Sequence, residues 1–452
     1  MNIRFRLVIM NFLEFFVWGA WLISMSQYMF NTLNFSGVQV GSIYGTMGIA
    51  SLFAPALLGI VADRWVNAER LLGLCHIIGA GLLLWASTVT DYPTFYIIML
   101  LNSIVFMPTI ALNNTVSYII LEGRGYNIVK DFPPIRVWGT VGFICAMWMV
   151  DLAGWTKSSL QLYISAAAGL TLGIYALTMP QCPPARTGGK RSLVSSLGLD
   201  AFVLFKRRRM LVFFIFAMFL GAALQITNAY GGAFLDDFTR SYPDSFGVKH
   251  PNVLLSISQI SETLFILTIP FFLQRFGIKK VMLMSILAWV FRFGLFGIGN
   301  PGPGLFLLIL SMIVYGMAFD FFNISGSLFV EKEADIKIRA SAQGLFMMMT
   351  NGIGAFLGTL ISGKVVDYFT KAYFDLKTLL QELRIDRTNP WLIQQLNGKV
   401  VAAGGILDTP IFVRDWQSIW FSFAGYALVL GIVFPLIFKY RHNPQEMENI
   451  HH

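Results

Sequence analysis

The chain has 452 residues, of which 56% are hydrophobic and 13% charged, about half the charged share of a soluble domain, so an ordinary water-soluble fold is excluded. Its net charge of +9 does not indicate nucleic acid, because the basic residues fall on alternate connections between apolar stretches rather than along one face. Cys75, Cys145 and Cys182 have neither metal-ligand spacing nor an evident disulfide partner, so no metal or cofactor is expected.

A spanning helix needs about 20 mostly apolar residues. On that criterion the sequence divides into spans near 7–30, 40–62, 71–90, 94–120, 133–153, 159–180, 211–235, 252–274, 280–299, 303–329, 339–366 and 416–439. The first is longer than a signal-peptide core and lacks a small-residue cleavage site, so it is expected to be retained. It carries Glu14 about two turns in, either a proton site or a residue that simply reaches a partner near the helix end. After the second span comes GIVADRWVNAER at 59–70. Gly59 is expected to allow a close helix approach, and Asp63 with Arg64 to latch two halves together; the plainer reading is a loop charge pair worth under about 1 kcal/mol. His76 reads as a packed or interfacial histidine, with titration as the alternative. In the fifth span Arg136, Thr140 and Phe143 fall at i, i+4 and i+7 and share one face.

Between the sixth and seventh spans, QCPPARTGGKRS at 181–192 and FKRRRM at 205–210 form a basic linker. The expected organisation is an N-terminal half over 1–182, a linker over 183–210 and a C-terminal half over 211–452. APALLGIVADR at 54–64 echoes IPFFLQRFGIKK at 269–280, and FPPIRVWG at 132–139 echoes DIKIRASAQG at 335–344, as duplicated halves would. Gln225 and Asn228 in the seventh span, and Gln259 and Glu262 in the eighth, are co-facial i, i+3 pairs. Arg292 in the ninth reads as a structural partner. In the tenth, Tyr315 and Phe319 are i, i+4 neighbours, and Asp320 lies about 100° further round, either at the edge of a site or against a neighbouring helix. Segment 367–415 is expected outside the membrane, with Asp375–Leu396 as a short amphipathic stretch in either a passive loop or a lid.

Arg4, Arg6, Arg70, Arg124, Lys280, Lys332, Arg339 and Arg441 gather on the side of the termini, which places both termini in the cytoplasm. Lys371 and Lys399 do not offset this, since long loops translocate largely regardless of charge.

A charge near the bilayer centre costs from a few kcal/mol to roughly ten or more, so it normally faces a polar cavity or a partner. Carboxamides that donate and accept, beside rings that stack, suit a small, neutral, hydrogen-bonding solute with a planar part, such as a nucleoside. Helix-to-helix glue worth below about 2 kcal/mol per residue is the alternative for any one Gln or Asn. Glu14, Glu262 and Asp320 are the carboxylates able to carry a proton, with Arg136 and Arg292 as counter-charges; Arg136 either touches the solute or gates the inner mouth. Five histidines without ligand spacing argue against an enzyme.

FMPTIAL at 106–112, DFPPIRVWGTVGFICAMW at 131–148, LGLDAFVLFK at 197–206, LQITN at 224–228, SISQISETLFILTIPFF at 256–272 and SMIVYGMAFDFFNISGS at 311–327 resemble one family, the nucleoside:proton symporters of the major facilitator superfamily. The resemblance implies an all-α integral membrane protein with 12 transmembrane helices in two pseudo-symmetric six-helix bundles. It implies nucleoside import with protons across a bacterial inner membrane by alternating access, usually as a monomer. It also implies a nucleoside held by Arg136, Thr140, Phe143, Gln225, Asn228, Gln259, Glu262, Tyr315 and Phe319, with Asp320 as a required acid. Two departures stand out: Glu14, where the family's permeases carry glutamine, and a longer outer loop. The competing reading is a facilitator or sodium-coupled carrier of another polar metabolite, a sugar or a muropeptide.

Overall fold

The computed structural model describes residues 2–184, 199–396 and 405–440; the middle of the expected linker, with Lys399 and Arg441, lies outside the described residues. The first bundle comprises α1 (Ile3–Gly19), α2 (Met25–Asn31), α3 (Gly37–Arg64), α4 (Ala68–Ala86), α5 (Tyr92–Glu122), α6 (Ile128–Leu152) and α7 (Leu160–Leu177). The second comprises α8 (Arg208–Asp237), α9 (Pro251–Ile266), α10 (Ile269–Ile298), α11 (Leu305–Ala318), α12 (Asp320–Glu333), α13 (Arg339–Met347), α14 (Ala355–Tyr368) and, after the hairpin segment, α17 (Trp416–Ile437). Among the described residues ten continuous helical stretches are long and apolar enough to cross a membrane. The interrupted pair α1–α2, and α9 followed by the start of α10, supply the crossings that complete the expected set.

Local chemistry fixes several ends. Ser36 and Gln39 form a capping box at the start of α3, Asp91 accepts from Thr94 N–H ahead of α5, and Asp415 accepts from Ser418 N–H ahead of α17. Each satisfies amides that a helix start leaves without partners. Four expected spans are broken, the eighth at residues 267–268 between α9 and α10. The first turns irregular at 20–24, the tenth divides at Phe319 between α11 and α12, and the eleventh contains a π-helical turn at Met348–Gly354. Gly277, with φ 75° and ψ 165°, separates the eighth and ninth crossings inside α10, a backbone conformation that favours glycine.

The N-terminus marks one face of the molecule, here the basal face, and segment 367–415 marks the opposite, hairpin face. That segment is a small packed unit rather than a passive loop with one helix. Strands β1 (Thr370–Asp375) and β2 (Ile406–Arg414) pair antiparallel, with Thr370 opposite Arg414, and carry α15 (Leu376–Leu383) and α16 (Pro390–Leu396). Leu376, Leu379, Trp391, Leu392, Leu407 and Ile411 form its own apolar core. The left-handed Arg384 (φ 53°) ends α15.

The hairpin unit joins both bundles. On α16, Gln394 Oε1 accepts from Lys157 Nζ at 2.8 Å and Gln395 Nε2 donates to Asn31 Oδ1 at 3.0 Å, both partners in the first bundle. Asn389 Nδ2 donates to the Arg240 carbonyl of the second. Beneath it, Lys157 lies 2.6 Å from the buried carboxylate of Asp236, which also accepts from Asn31 Nδ2.

Candidate functional site

Closely packed glycines set the helix positions around the centre. In the first bundle, Gly142 faces the Phe12 carbonyl and Gly19 the Phe143 backbone, bringing α6 tight onto α1. In the second, Gly316 faces Ser261 and Phe265, while Ser261 Oγ donates to the Ile313 carbonyl at 2.6 Å. This α9–α11 contact sets Tyr315 beside Gln259 and Glu262.

From the first bundle, the Arg136 guanidinium stacks 4.0 Å above the Phe15 ring and lies in the field of both Glu14 and Glu262. It is half-buried and lies beside Glu262 of the opposite bundle. Thr140 is half-buried on the same helix. Phe143 is buried, edge-on to Trp18 at 6.1 Å. From the second bundle, Glu262 and Asp320 face each other. Asp320 is 6% exposed, and among the described residues its Oδ2 has no hydrogen-bond partner.

Asp320 follows a one-residue interruption at Phe319, whose backbone stays right-handed helical (φ −93°, ψ −54°), opens α12, and faces Glu262 on the neighbouring α9. Gln225 and Asn228 are half-buried on α8, as are Gln259 on α9 and Phe319 at the break. Gln225 Oε1 is a buried acceptor without a partner among the described residues, a group that costs free energy unless something bonds it. Arg292 meets this cluster through Tyr315, its guanidinium 5.1 Å from that ring and 4.2 Å from Phe296, with Ser311 alongside.

Glu14 stands elsewhere, fully buried in the first bundle. His76 Nε2 is 2.8 Å from its Oε2, and Thr109 donates to its Oε1 at 2.7 Å. His76 is thus a paired group, more than a packed ring. Gly59 does not hold a close helix approach: a Cβ there meets no atom within 4 Å. The close approaches along α3 are at Gly41, against the Thr359 carbonyl and Tyr230 hydroxyl, and at Gly48, against Gly352 and Phe356. Asp63 and Arg64 are exposed at the basal end of α3.

Two carboxylates that sequence reasoning missed join the bundles at the hairpin face. Asp367, the penultimate residue of α14, accepts from Gly37 N–H (2.5 Å) and Val38 N–H (2.9 Å) at the start of α3. Asp151, the penultimate residue of α6, accepts from Asn252 N–H (2.5 Å) and Val253 N–H (3.1 Å) at the start of α9, with His250 Nδ1 at 3.0 Å. Fifth crossing caps eighth, and eleventh caps second. The two arrangements are equivalent under a six-helix repeat. N-caps are sought within one or two residues of a helix start, so caps supplied by the opposite bundle leave no local signal.

The nucleoside H+ symporter family model matches residues 1–443. The chain is 52% identical over 452 residues to the xanthosine permease of Escherichia coli K12, covering 99% of each. It is 50% identical over 445 residues to the nucleoside permease NupG of the same strain, covering 98% of this chain and 97% of that one. The crystal structure of the nucleoside transporter NupG superposes with a TM-score of 0.84 at 50% identity, covering 98% of this chain and all of that one. A bacterial homologue of the lysosomal transporter Spinster, inward-facing, matches with a TM-score of 0.65 at 14% identity and shares the fold alone. With these matches running almost end to end, the chain belongs to the nucleoside H+ symporter family.

Proposed function

We propose that this protein imports nucleosides across a bacterial inner membrane by proton symport, as a monomer whose basal face is cytoplasmic, with the nucleoside held between the bundles. Arg136, Thr140 and Phe143 meet it from one side. Gln225, Asn228, Gln259, Tyr315 and Phe319 meet it from the other, carboxamides on its hydroxyls and base edge and rings on its planar face. Glu262 and Asp320 carry the coupled proton.

The observation behind this reading is the meeting of Glu262 and Asp320 from one bundle with Arg136 from the other. Two facing carboxyls accommodate one proton more easily than two negative charges, and a cation on the opposite bundle makes their charge sensitive to how the bundles are set. The hydrogen bonds and ion pairs that tie the bundles together at the hairpin face support a reading in which that face is closed and the cavity opens from the basal side. The Asp63–Arg64 latch belongs to the opposite state.

Purified protein in liposomes, given labelled uridine and an imposed pH gradient, tests the proposal. Gradient-driven accumulation is expected, abolished by a protonophore. Glu262→Gln is expected to lose accumulation and keep nucleoside exchange. Uptake indifferent to the gradient defeats proton coupling, and no uridine uptake or competition by other nucleosides defeats the substrate.

A further inference from the structure

Resting on that reading, we infer that Glu14, His76 and Thr109 form a second proton-binding site, inside the N-terminal bundle, that loads and releases a proton in each transport cycle.

Glu14 is fully buried and His76 is 2% exposed, so the pair has been taken out of water, and a charge so placed persists only with partners. Both carboxylate oxygens have one: Oε2 faces His76 Nε2 at 2.8 Å, and Oε1 accepts from the Thr109 hydroxyl at 2.7 Å. The Thr109 hydroxyl also lies 2.6 Å from the Phe106 carbonyl. Its single hydrogen can serve only one of these acceptors at a time. With Glu14 ionised, the hydroxyl donates to the carboxylate. When a proton arrives, an O–H bond forms at Oε1 and donates to Thr109, whose own hydrogen turns to the Phe106 carbonyl. Each protonation state thus has its hydrogen bonds satisfied by turning one rotor, as a site built to hold and release a proton requires.

The surroundings are compatible with this. The titratable or charged groups facing Glu14 are His76 and Cys75 on α4 and Arg136 on α6. α5 presents the neutral Thr109, and α7 presents Gly169 beside the His76 backbone. Toward the basal face, buried polar side chains continue the line. Asn113 Nδ2 donates to Asn11 Oδ1 at 2.9 Å, and Ser117 follows one turn further along α5. Asn11, Thr109, Asn113 and Ser117 are all fully buried, an arrangement that apolar packing between α1 and α5 does not require. Arg136 lies in the field of Glu14 on its own bundle and of Glu262 on the other, so the two proton sites share one cation.

The test counts protons per nucleoside in liposomes carrying an internal pH dye, with labelled uridine measured in parallel. Glu14→Gln is expected to lower the ratio by one proton while uridine exchange continues. Thr109→Val keeps the shape, removes the rotor and is expected to move the pH of half-maximal uptake by one unit or more. If Glu14→Gln does not transport, nucleoside-linked proton exchange of the solubilised Thr109→Val protein decides. An unchanged ratio in Glu14→Gln, or an unchanged pH profile in Thr109→Val, overturns the inference. Wild-type protein that moves no protons with uridine instead overturns the symport reading, so the two failures are distinct.

Discussion

The two caps supplied across the bundle interface make the balance between conformations a measurable free energy. Consider Asp151→Ala. In α9 the first residue is Pro251, which has no N–H, and no side chain caps the helix from within its own chain start. Asp151 alone therefore serves Asn252 N–H and Val253 N–H. Removing a capping side chain costs about 0.5–2 kcal/mol, and leaving a buried donor unsatisfied costs about 1–3 kcal/mol. A net figure of about 2 kcal/mol applies only while the hairpin face is closed, since water serves the same amides once it opens. A shift of that size changes the open-to-closed ratio roughly 30-fold. Asp367→Ala should act alike through Gly37 and Val38, somewhat more weakly because the Ser36–Gln39 box still caps α3. The caps share no partner, so the double variant should approach the sum of the two energies. Spin labels at the exposed Leu160 and Phe246, one per bundle at the hairpin face, report the separation by pulsed dipolar spectroscopy. A longer-distance population should grow in each variant and most in the double. Folded variants whose distance distributions match the wild type would refute the reasoning.

Three further outcomes are expected. Gly41→Val would drive a side chain into the Thr359 carbonyl and the Tyr230 hydroxyl; overpacking of this kind costs about 1–3 kcal/mol, and the readout is the same spectroscopic shift together with slower uptake. Arg136→Lys keeps the charge but loses the planar group stacked on Phe15, a contact worth about 0.5–2 kcal/mol, so KM for uridine should rise about 3- to 30-fold in transport kinetics. Lys157→Met removes the partner of buried Asp236 and of Gln394. With a buried acceptor left short by about 1–3 kcal/mol, hydrogen exchange in residues 390–396 should accelerate about 5- to 100-fold.

What the sequence made legible follows from which interactions are local. Long apolar runs locate the crossings because burial in a bilayer depends on composition over about 20 residues. Helical spacing groups Gln259 with Glu262, and Arg136 with Thr140, because neighbours three or four apart share a face. Asp320 resisted assignment because spacing gives its angle on its own helix but not which neighbouring helix stands there, and the structure puts Glu262 of α9 opposite it. The hairpin unit was legible only as amphipathic chain, since its strands pair residues some forty positions apart. Glu14 and His76 stand 62 positions apart, and Asp367 meets Gly37 across 330; contacts of that range leave no period in a single sequence. Gly59 makes no close approach in this conformation. A glycine allows close approach without requiring one.

The location of the charges constrains how coupling works. Arg136 belongs to the first bundle with Glu14, whereas Glu262 and Asp320 belong to the second. A rocking motion that keeps each bundle rigid leaves the Arg136–Glu14 relation unchanged and alters the distance from Arg136 to Glu262. Coulomb attraction falls with distance and with the entry of water, so the facing carboxyls lose their offsetting cation in whichever state parts the bundles there, and a shared proton is then what neutralises them. On the proposed reading, nucleoside binding between the bundles acts on the same distance. On the proposed mechanism, proton and nucleoside need no contact with each other: both act on the one separation that the caps of Asp151 and Asp367 hold closed from the hairpin side, which is why weakening a cap should change coupling kinetics without altering a single residue of the site.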